Sequence, residues 1–98
     1  MNIDDKAADH FHSGYAKKLS SNTEVTVDKQ GVVKLLLYGH TIAQRTNLAY
    51  TITNAGYFTR TTKARLNALN GVRVHQHKRV WYLNDIEWNG ENIILGVQ

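Results

Sequence analysis

The 98-residue chain has room for one hydrophobic core, because two domains of half this length would each be only marginally stable. Its 42% hydrophobic and 20% charged residues are typical of a folded protein and exclude a disordered one, and the absence of cysteine excludes disulfides and thiolate metal sites. No apolar stretch approaches the ~20 residues that cross a bilayer, and the N-terminus lacks the features of a signal peptide. We therefore expect a soluble cytoplasmic protein with no membrane partner.

The net charge of +4 is unevenly distributed along the chain. Residues 1–22 and 71–98 each sum to zero, so residues 23–70 carry all of the excess, with six cations against two carboxylates. The six cations are Lys29, Lys34, Arg45, Arg60, Lys63 and Arg65. A local excess of this kind favours an acidic partner, provided that the cations converge on one patch in the folded chain.

The first 22 residues contain few large apolar side chains, so residues 1–22 are interpreted as an N-terminal arm that is loosely ordered or forms a short helix. Residues 23–98 then form a single α+β domain. From Thr23 the hydrophobic period becomes two, and Gly31 separates the first such segment from the near-continuous apolar run Val32–Tyr38. A turn at Gly39-His40 would return the chain along Thr41–Arg45, and Leu48–Thr53 alternates again.

One helix is predicted over about residues 60–70. Thr59 or Thr61 is the candidate N-cap, and Asn70-Gly71 is a typical stop signal. On a helical wheel Leu66 and Leu69 share a face with Thr62. The opposite face carries Arg60, Lys63 and Asn67, with Arg65 at the border. The helix is expected to pack through its leucines and to expose a basic face.

The rest of the chain reads as short strands. Val72–Gln76 and Arg79–Leu83 form the clearest hairpin, with His77-Lys78 near its turn, and Ile86–Trp88 and Asn92–Val97 follow. The predicted fold class is therefore α+β: a mainly antiparallel sheet of about six to eight short strands, with one short helix packed on one face.

The helix and this hairpin supply the candidate binding site. Simple alternation places Arg73, His75, Arg79 and Trp81 on one side of the hairpin. Cations neutralise phosphates, and an exposed indole stacks on an unpaired base for ~1–3 kcal/mol. The candidate residues for binding nucleic acid or another partner are Arg60, Lys63, Arg65, Asn67, Arg73, Arg79 and Trp81. Two alternatives stay open: Trp81 lies in the core with Trp88 and Leu83, and Arg65 makes a structural contact.

Catalytic and metal-binding patterns are weak. Serines occur only at residues 13, 20 and 21, and no glycine-rich phosphate loop follows a strand. The histidine pairs His10/His12 and His75/His77 lack the third and fourth ligands that zinc requires. We predict a protein that is not an enzyme and that has no cofactor and no metal.

Three blocks of sequence resemble a group of short bacteriophage proteins. In that group a T-x-T-T-x-x-R-L-N-x-L helix start leads to a hairpin ending in W-Y-L-N and to a closing W-[DN]-G. Here these blocks are residues 59–69, 81–84 and 88–90, and the glycine-turn hairpin at residues 37–43 is also similar. The resemblance covers about residues 35–90. It implies a phage-encoded accessory protein in a bacterial host cell and assigns no role to individual residues.

Two functional hypotheses follow. In the first, the chain is a non-enzymatic module that engages nucleic acid, or a nucleoprotein complex that handles it, through the basic helix and hairpin. In the second, it is a phage inhibitor that docks on an acidic host protein, such as a polymerase or a defence complex in the manner of anti-CRISPR proteins, through Tyr57, Phe58 and Trp88. Exposed edge strands leave a homodimer open.

Overall fold

The computed structural model describes residues 2–46 and 49–97. Every pair of neighbouring strands in these ranges is antiparallel, and the predicted α+β class is confirmed, with nine strands and two helices. In chain order the elements are α1 (Ile3–Ser13), β1 (Lys17–Lys18), β2 (Thr23–Val27), β3 (Val33–Leu37), β4 (His40–Arg45), β5 (Ala49–Ile52), α2 (Arg60–Asn67), β6 (Val74–His77), β7 (Val80–Leu83), β8 (Ile86–Glu87) and β9 (Ile93–Val97). None of the described helices is long and apolar enough to cross a membrane.

The strands form two sheets. The first contains six strands in the order β1-β2-β3-β4-β5-β9, a meander to which the last strand returns beside β5. The second contains β6, β7 and β8 and, together with α2, is inserted between β5 and β9. Both helices contribute to one core, in which Phe11, Leu35, Ile42, Ile52 and Leu66 are almost completely buried. Each such side chain contributes about 1.5–3 kcal/mol through its burial.

The N-terminal segment is a helix and not a loose arm. Asn2 is the N-cap of α1, where its side chain accepts a hydrogen bond from the Asp5 N–H at 2.9 Å, and Gly14 ends the helix in the left-handed region at φ 76°. Ala7 and Phe11 have no exposed surface. The helix α1 therefore contributes to the common core.

The second helix begins where the sequence predicts, but it ends at Asn67, three residues before the predicted end at about residue 70. Of the two candidate caps, Thr59 is the one used: its Oγ1 accepts a hydrogen bond from the Thr62 N–H at 3.2 Å. Thr62, Leu66 and Leu69 are all buried, which confirms the predicted packing face.

Two turns lie one residue away from their predicted positions. Leu37 pairs with His40, so the turn residues are Tyr38 and Gly39 and not Gly39 and His40. His77 pairs with Val80, which makes Lys78 and Arg79 the turn of the β6–β7 hairpin. Moving a two-residue turn by one residue changes the pairing register by two, so each side chain keeps its face of the sheet. In the predicted strand over residues 48–53, residue 48 lies outside the described residues.

A short clasp closes the insertion that carries the second sheet. The Asn54 N–H and the Thr53 Oγ1 both donate hydrogen bonds to the Gly90 carbonyl, at 3.1 and 2.6 Å. The Asn54 side chain is buried against Gly90, so that a Cβ at residue 90 would lie 2.2 Å from the Asn54 Oδ1. Residue 90 also has a φ of 91°. Both facts require glycine at this position.

We expect Gly90→Ala to lower the free energy of unfolding by about 2–3 kcal/mol, because the collision with Asn54 adds to the backbone strain. Gly31→Ala is the matched control, since residue 31 has a φ of 84° but no atom within 4 Å of the added Cβ. It should cost only about 1 kcal/mol. Urea denaturation of both variants measures the difference. Equal losses of unfolding free energy would show that the contact between Asn54 and Gly90 adds no cost of its own.

The end of α1 carries a histidine whose neutral form is favoured. The His12 Nε2 accepts a hydrogen bond from the Asn70 N–H at 3.0 Å, which requires an unprotonated nitrogen. Burial, with a smaller contribution from the nearby Arg45 guanidinium, lowers the pKa of His12 below its ordinary value of 6.5. The unfolded chain therefore binds a proton at this residue at a higher pH than the folded chain does.

Stability should consequently fall as the pH decreases below about 6.5, the ordinary pKa of histidine. Urea midpoints at pH 7.5 and 5.5 test this, because the lower value is still above the ordinary pKa values of carboxylates. His12→Gln keeps an acceptor without a titratable group, so it should lose most of the pH dependence. A variant with the same pH dependence as the parent chain would show that His12 is not responsible.

Candidate nucleic-acid interface

The predicted site is organised around Trp81, which lies between α2 and the β6–β7 hairpin. Trp81 is buried, with 3% of its surface exposed, so the prediction that it stacks on a base is wrong and the core alternative is correct. The Phe58 ring packs edge-on against it at a centroid distance of 5.1 Å, and the Lys63 Nζ lies 5.5 Å from its ring centroid. Trp81 is therefore a support that positions Phe58 and Lys63.

The register of the hairpin explains this correction. Val74 pairs with Leu83 and Gln76 pairs with Trp81, which places these side chains on one face of the second sheet. The opposite face carries His75 and Tyr82, whose rings stack at 5.1 Å. The predicted grouping of Trp81 with His75 and Arg73 fails because the two-residue turn at Lys78 and Arg79 pairs even-numbered residues of β6 with odd-numbered residues of β7.

The polar groups of Arg65 and Asn67 bind other residues of the same chain. The Arg65 side chain is buried; its Nη1 pairs with Asp4, and its Nε donates a hydrogen bond to the Thr23 Oγ1 at 3.1 Å. The structural alternative for Arg65 is thus the correct one. Asn67 uses both ends of its amide on the Val74 backbone, with hydrogen bonds of 2.9 and 2.7 Å. Asn67 holds the hairpin against the helix through these two hydrogen bonds.

Arg73 lies at the end of the hairpin away from its turn. It forms an ion pair with Asp85, and both side chains are about two-thirds exposed. An exposed pair of this kind contributes at most about 1 kcal/mol to stability, but it cancels the local charge. Arg73 is therefore not part of the free positive surface.

Four cations remain on α2 and on the turn of the β6–β7 hairpin. Arg60 is exposed one helical turn before Lys63, and the Lys63 Nζ donates a hydrogen bond to the Gln76 side chain at 3.1 Å. Arg79 lines a shallow groove with Phe58 and Trp81, and Lys78 precedes it in the turn. Within residues 2–46 and 49–97, none of these cations forms an ion pair.

We call this surface the hairpin–helix face and define it by Phe58, Arg60, Lys63, Lys78 and Arg79. Phe58 is 56% exposed, so an apolar ring stands among the cations. One carboxylate, that of Glu87, lines the same groove as Arg79. The face is thus positively charged with an accessible aromatic centre. Lys78 was missing from the candidate residues, and Phe58 was expected only as an anchor for a host protein. The available signals were the position of Lys78 beside the hairpin turn and that of Phe58 before the N-cap of α2.

The six cations of residues 23–70 do not form the single patch that their sequence clustering predicts. Arg65 is buried, and Arg45 donates hydrogen bonds to the Phe11 and His12 carbonyls at 3.0 and 2.8 Å, where it completes the end of α1. Lys29 and Lys34 belong to the β2–β3 hairpin. Only Arg60 and Lys63 contribute to the hairpin–helix face.

The chemistry available elsewhere is limited. In the described ranges no group of three or more histidine and acidic side chains is close enough to hold a metal ion. A polar groove on the first sheet is lined by neutral residues such as Gln44, Thr51 and Asn92, which supply no acid, base or nucleophile with a shifted pKa. The hairpin–helix face, which suits anions, is the best-defined candidate site.

Comparison with known proteins identifies a protein family. Residues 1–97 match a protein-family model described as Kyanoviridae Gp96 protein. No curated protein and no solved structure matches the chain.

The turn of the hairpin–helix face is strained. Lys78 and Arg79 have φ values of 50° and 68°, which correspond to a two-residue turn that normally contains Asn-Gly. Placing side chains with a Cβ there costs roughly 1 kcal/mol for each residue. A turn made of lysine and arginine is therefore less stable than an Asn-Gly turn. Backbone strain of this kind is concentrated at functional sites.

The double variant Lys78→Asn/Arg79→Gly should therefore raise the free energy of unfolding by about 1–2 kcal/mol, since both new residues accept a positive φ. Tyr38→Asn is the matched control, because Tyr38 has a φ of 52° in a turn of the first sheet. Thermal and urea unfolding measure both. A double variant less stable than the parent chain would show that the turn is not strained.

Proposed function

This chain belongs to the Kyanoviridae Gp96 protein family, and we propose that this phage protein is a non-enzymatic module that binds nucleic acid through the hairpin–helix face. The observation that carries the proposal is the convergence of Lys63, Arg79 and the exposed Phe58 on Trp81. The preferred ligand is an unpaired strand in the bacterial host cell. No cofactor is needed for such binding.

The charge of the face supports a polyanionic ligand. Four cations are opposed by the single carboxylate of Glu87, and none of the four is neutralised by an ion pair in the described part of the chain. Each cation that contacts a phosphate releases condensed counterions, which favours binding at low salt. The other cations of residues 23–70 are dispersed or engaged in contacts within the protein. This surface is therefore where we expect the most favourable electrostatic free energy for binding a phosphate backbone.

The aromatic ring at the centre of the face supports an unpaired base. Phe58 leans edge-on against Trp81, so the indole fixes the ring while more than half of its surface stays accessible. A base stacked on Phe58 would have its flanking phosphates near Lys63 and Arg79. Aromatic stacking surrounded by cations is the usual arrangement for single-stranded nucleic acid.

A second function is favoured by a specific observation, namely that the consecutive residues Tyr57 and Phe58 are both exposed, at 40% and 56%. An aromatic pair with a basic rim also suits an acidic surface on a host protein, as in a phage inhibitor of a polymerase or an anti-CRISPR-like protein. Trp88, the third expected anchor, is buried at 7% exposure, and its Nε1 donates a hydrogen bond to the Glu91 carbonyl. Only two of the three expected aromatic anchors are therefore exposed, and for this reason we rank docking on a host protein second.

Removal of charge from the face should weaken binding of a 20-nucleotide single strand. Arg60→Gln/Arg79→Gln should lower the affinity at least tenfold at low salt and reduce the salt slope by about 0.7 for each lost phosphate contact. Lys29→Gln/Lys34→Gln removes the same charge elsewhere and serves as the control. Fluorescence anisotropy at two salt concentrations measures both. Equal losses in the two variants, or no binding at low salt, would contradict the proposal.

Replacement of the ring separates the ligand classes. Phe58→Ala should weaken single-strand binding by about 1–3 kcal/mol and leave duplex binding nearly unchanged, because a paired base cannot stack on the ring. A pull-down from bacterial lysate with and without nuclease then tests the second function. A host protein that stays bound after nuclease treatment, and is released by Phe58→Ala, would replace nucleic acid as the ligand.

A further inference from the structure

The two outer strands of the first sheet differ in how they are protected. At one edge β1 has only two residues, Lys17 and Lys18, and both are exposed. Short strands and lysines are the usual means of preventing a sheet edge from pairing with another chain. This edge is therefore closed to further strands.

The opposite edge has neither a two-residue strand nor lysines, and its pairing with β5 shifts by one residue between Ile94 and Gly96. The strand β9 has five residues, contains no charged residue and no proline, and pairs with β5 alone in the described part of the chain. Ile94 is 64% exposed and Ile93 is 41% exposed. A long, uncharged edge strand with exposed isoleucines is a template for strand addition.

We propose that β9 pairs with β9 of a second copy of this chain in an antiparallel arrangement about a two-fold axis. A neutral strand meets no like charge when it pairs with itself, whereas it would face the lysines if it paired with β1. Antiparallel self-pairing also satisfies the unpaired backbone groups of both strands equally and closes the assembly as a dimer. It joins two six-stranded sheets into one.

An apolar groove beside β9 continues the interface. Ile86, which is 73% exposed, lines this groove with Ile93, Leu95 and Leu83. The partner strand would lie beside this groove, so its isoleucines cover surface that is otherwise in contact with water. The inference is independent of nucleic-acid binding, because no residue of the hairpin–helix face takes part.

Association is tested with Ile94→Lys, which places a charge at the exposed edge. Gln44→Lys is the matched control, because Gln44 belongs to the same cross-strand row through Thr51 but lies on β4, which is paired on both sides. In sedimentation experiments over a concentration series, the parent chain and Gln44→Lys should rise from 11.1 kDa to twice that mass. Ile94→Lys, with an unchanged circular dichroism spectrum, should stay monomeric.

Disulfide trapping provides a second measurement, because the chain has no cysteine of its own. A two-fold axis brings the same residue of both copies together, so one of the single variants Ile94→Cys and Gly96→Cys should cross-link at least tenfold faster than Gln44→Cys. A parent chain that is monomeric at all concentrations would show that β9 does not pair with a second copy, and this would overturn the proposal. Cross-linking no faster than in Gln44→Cys would also overturn it.

Discussion

The arrangement of the whole molecule depends on the buried guanidinium of Arg65. It joins three elements, because it lies on α2, pairs with Asp4 of α1 and donates a hydrogen bond to Thr23 of β2. A buried cation is tolerated only when such partners satisfy it, and loss of a partner typically costs about 3–5 kcal/mol. The contact therefore fixes the helix against both the first sheet and the N-terminal helix. Since α2 also supplies Lys63 and Asn67, the position of the hairpin–helix face follows from this ion pair.

The same contact shows why charge counted along a sequence is a poor guide to charge on a surface. Arg45 and Arg65 lie in the basic segment, yet one completes the end of α1 and the other joins the two helices. Their partners are distant in sequence, so no local pattern indicates them. The face instead gains Lys78 and Arg79 from a segment whose charges sum to zero. A positive surface remains, but it is smaller than the distribution of charge predicts, and only two of its four cations, Arg60 and Lys63, come from the basic segment.

Periodicity predicted most of the strands and the packing face of α2, because both depend on the local alternation of apolar side chains. The register of the hairpins was not predictable in the same way. Tyr38-Gly39 and Lys78-Arg79 occupy turns that favour Asn-Gly, so the usual signal was absent, and pairing across the two-residue turn places Trp81 on the face of Gln76. The N-terminal helix was one of two alternatives, because its only large buried side chain is Phe11. Tertiary contacts decided each of these cases.

The clasp between Asn54 and Gly90 separates the two proposed activities. Residues between these positions carry the hairpin–helix face, whereas β9 lies beyond the clasp on the first sheet. A dimer through β9 would hold two such faces in one particle without altering either. A single strand long enough to reach both would bind the second face intramolecularly, and the effective concentration of a short tether is in the millimolar range. A modest positive patch on a small protein then becomes sufficient for tight binding, because two weak contacts act on the same strand.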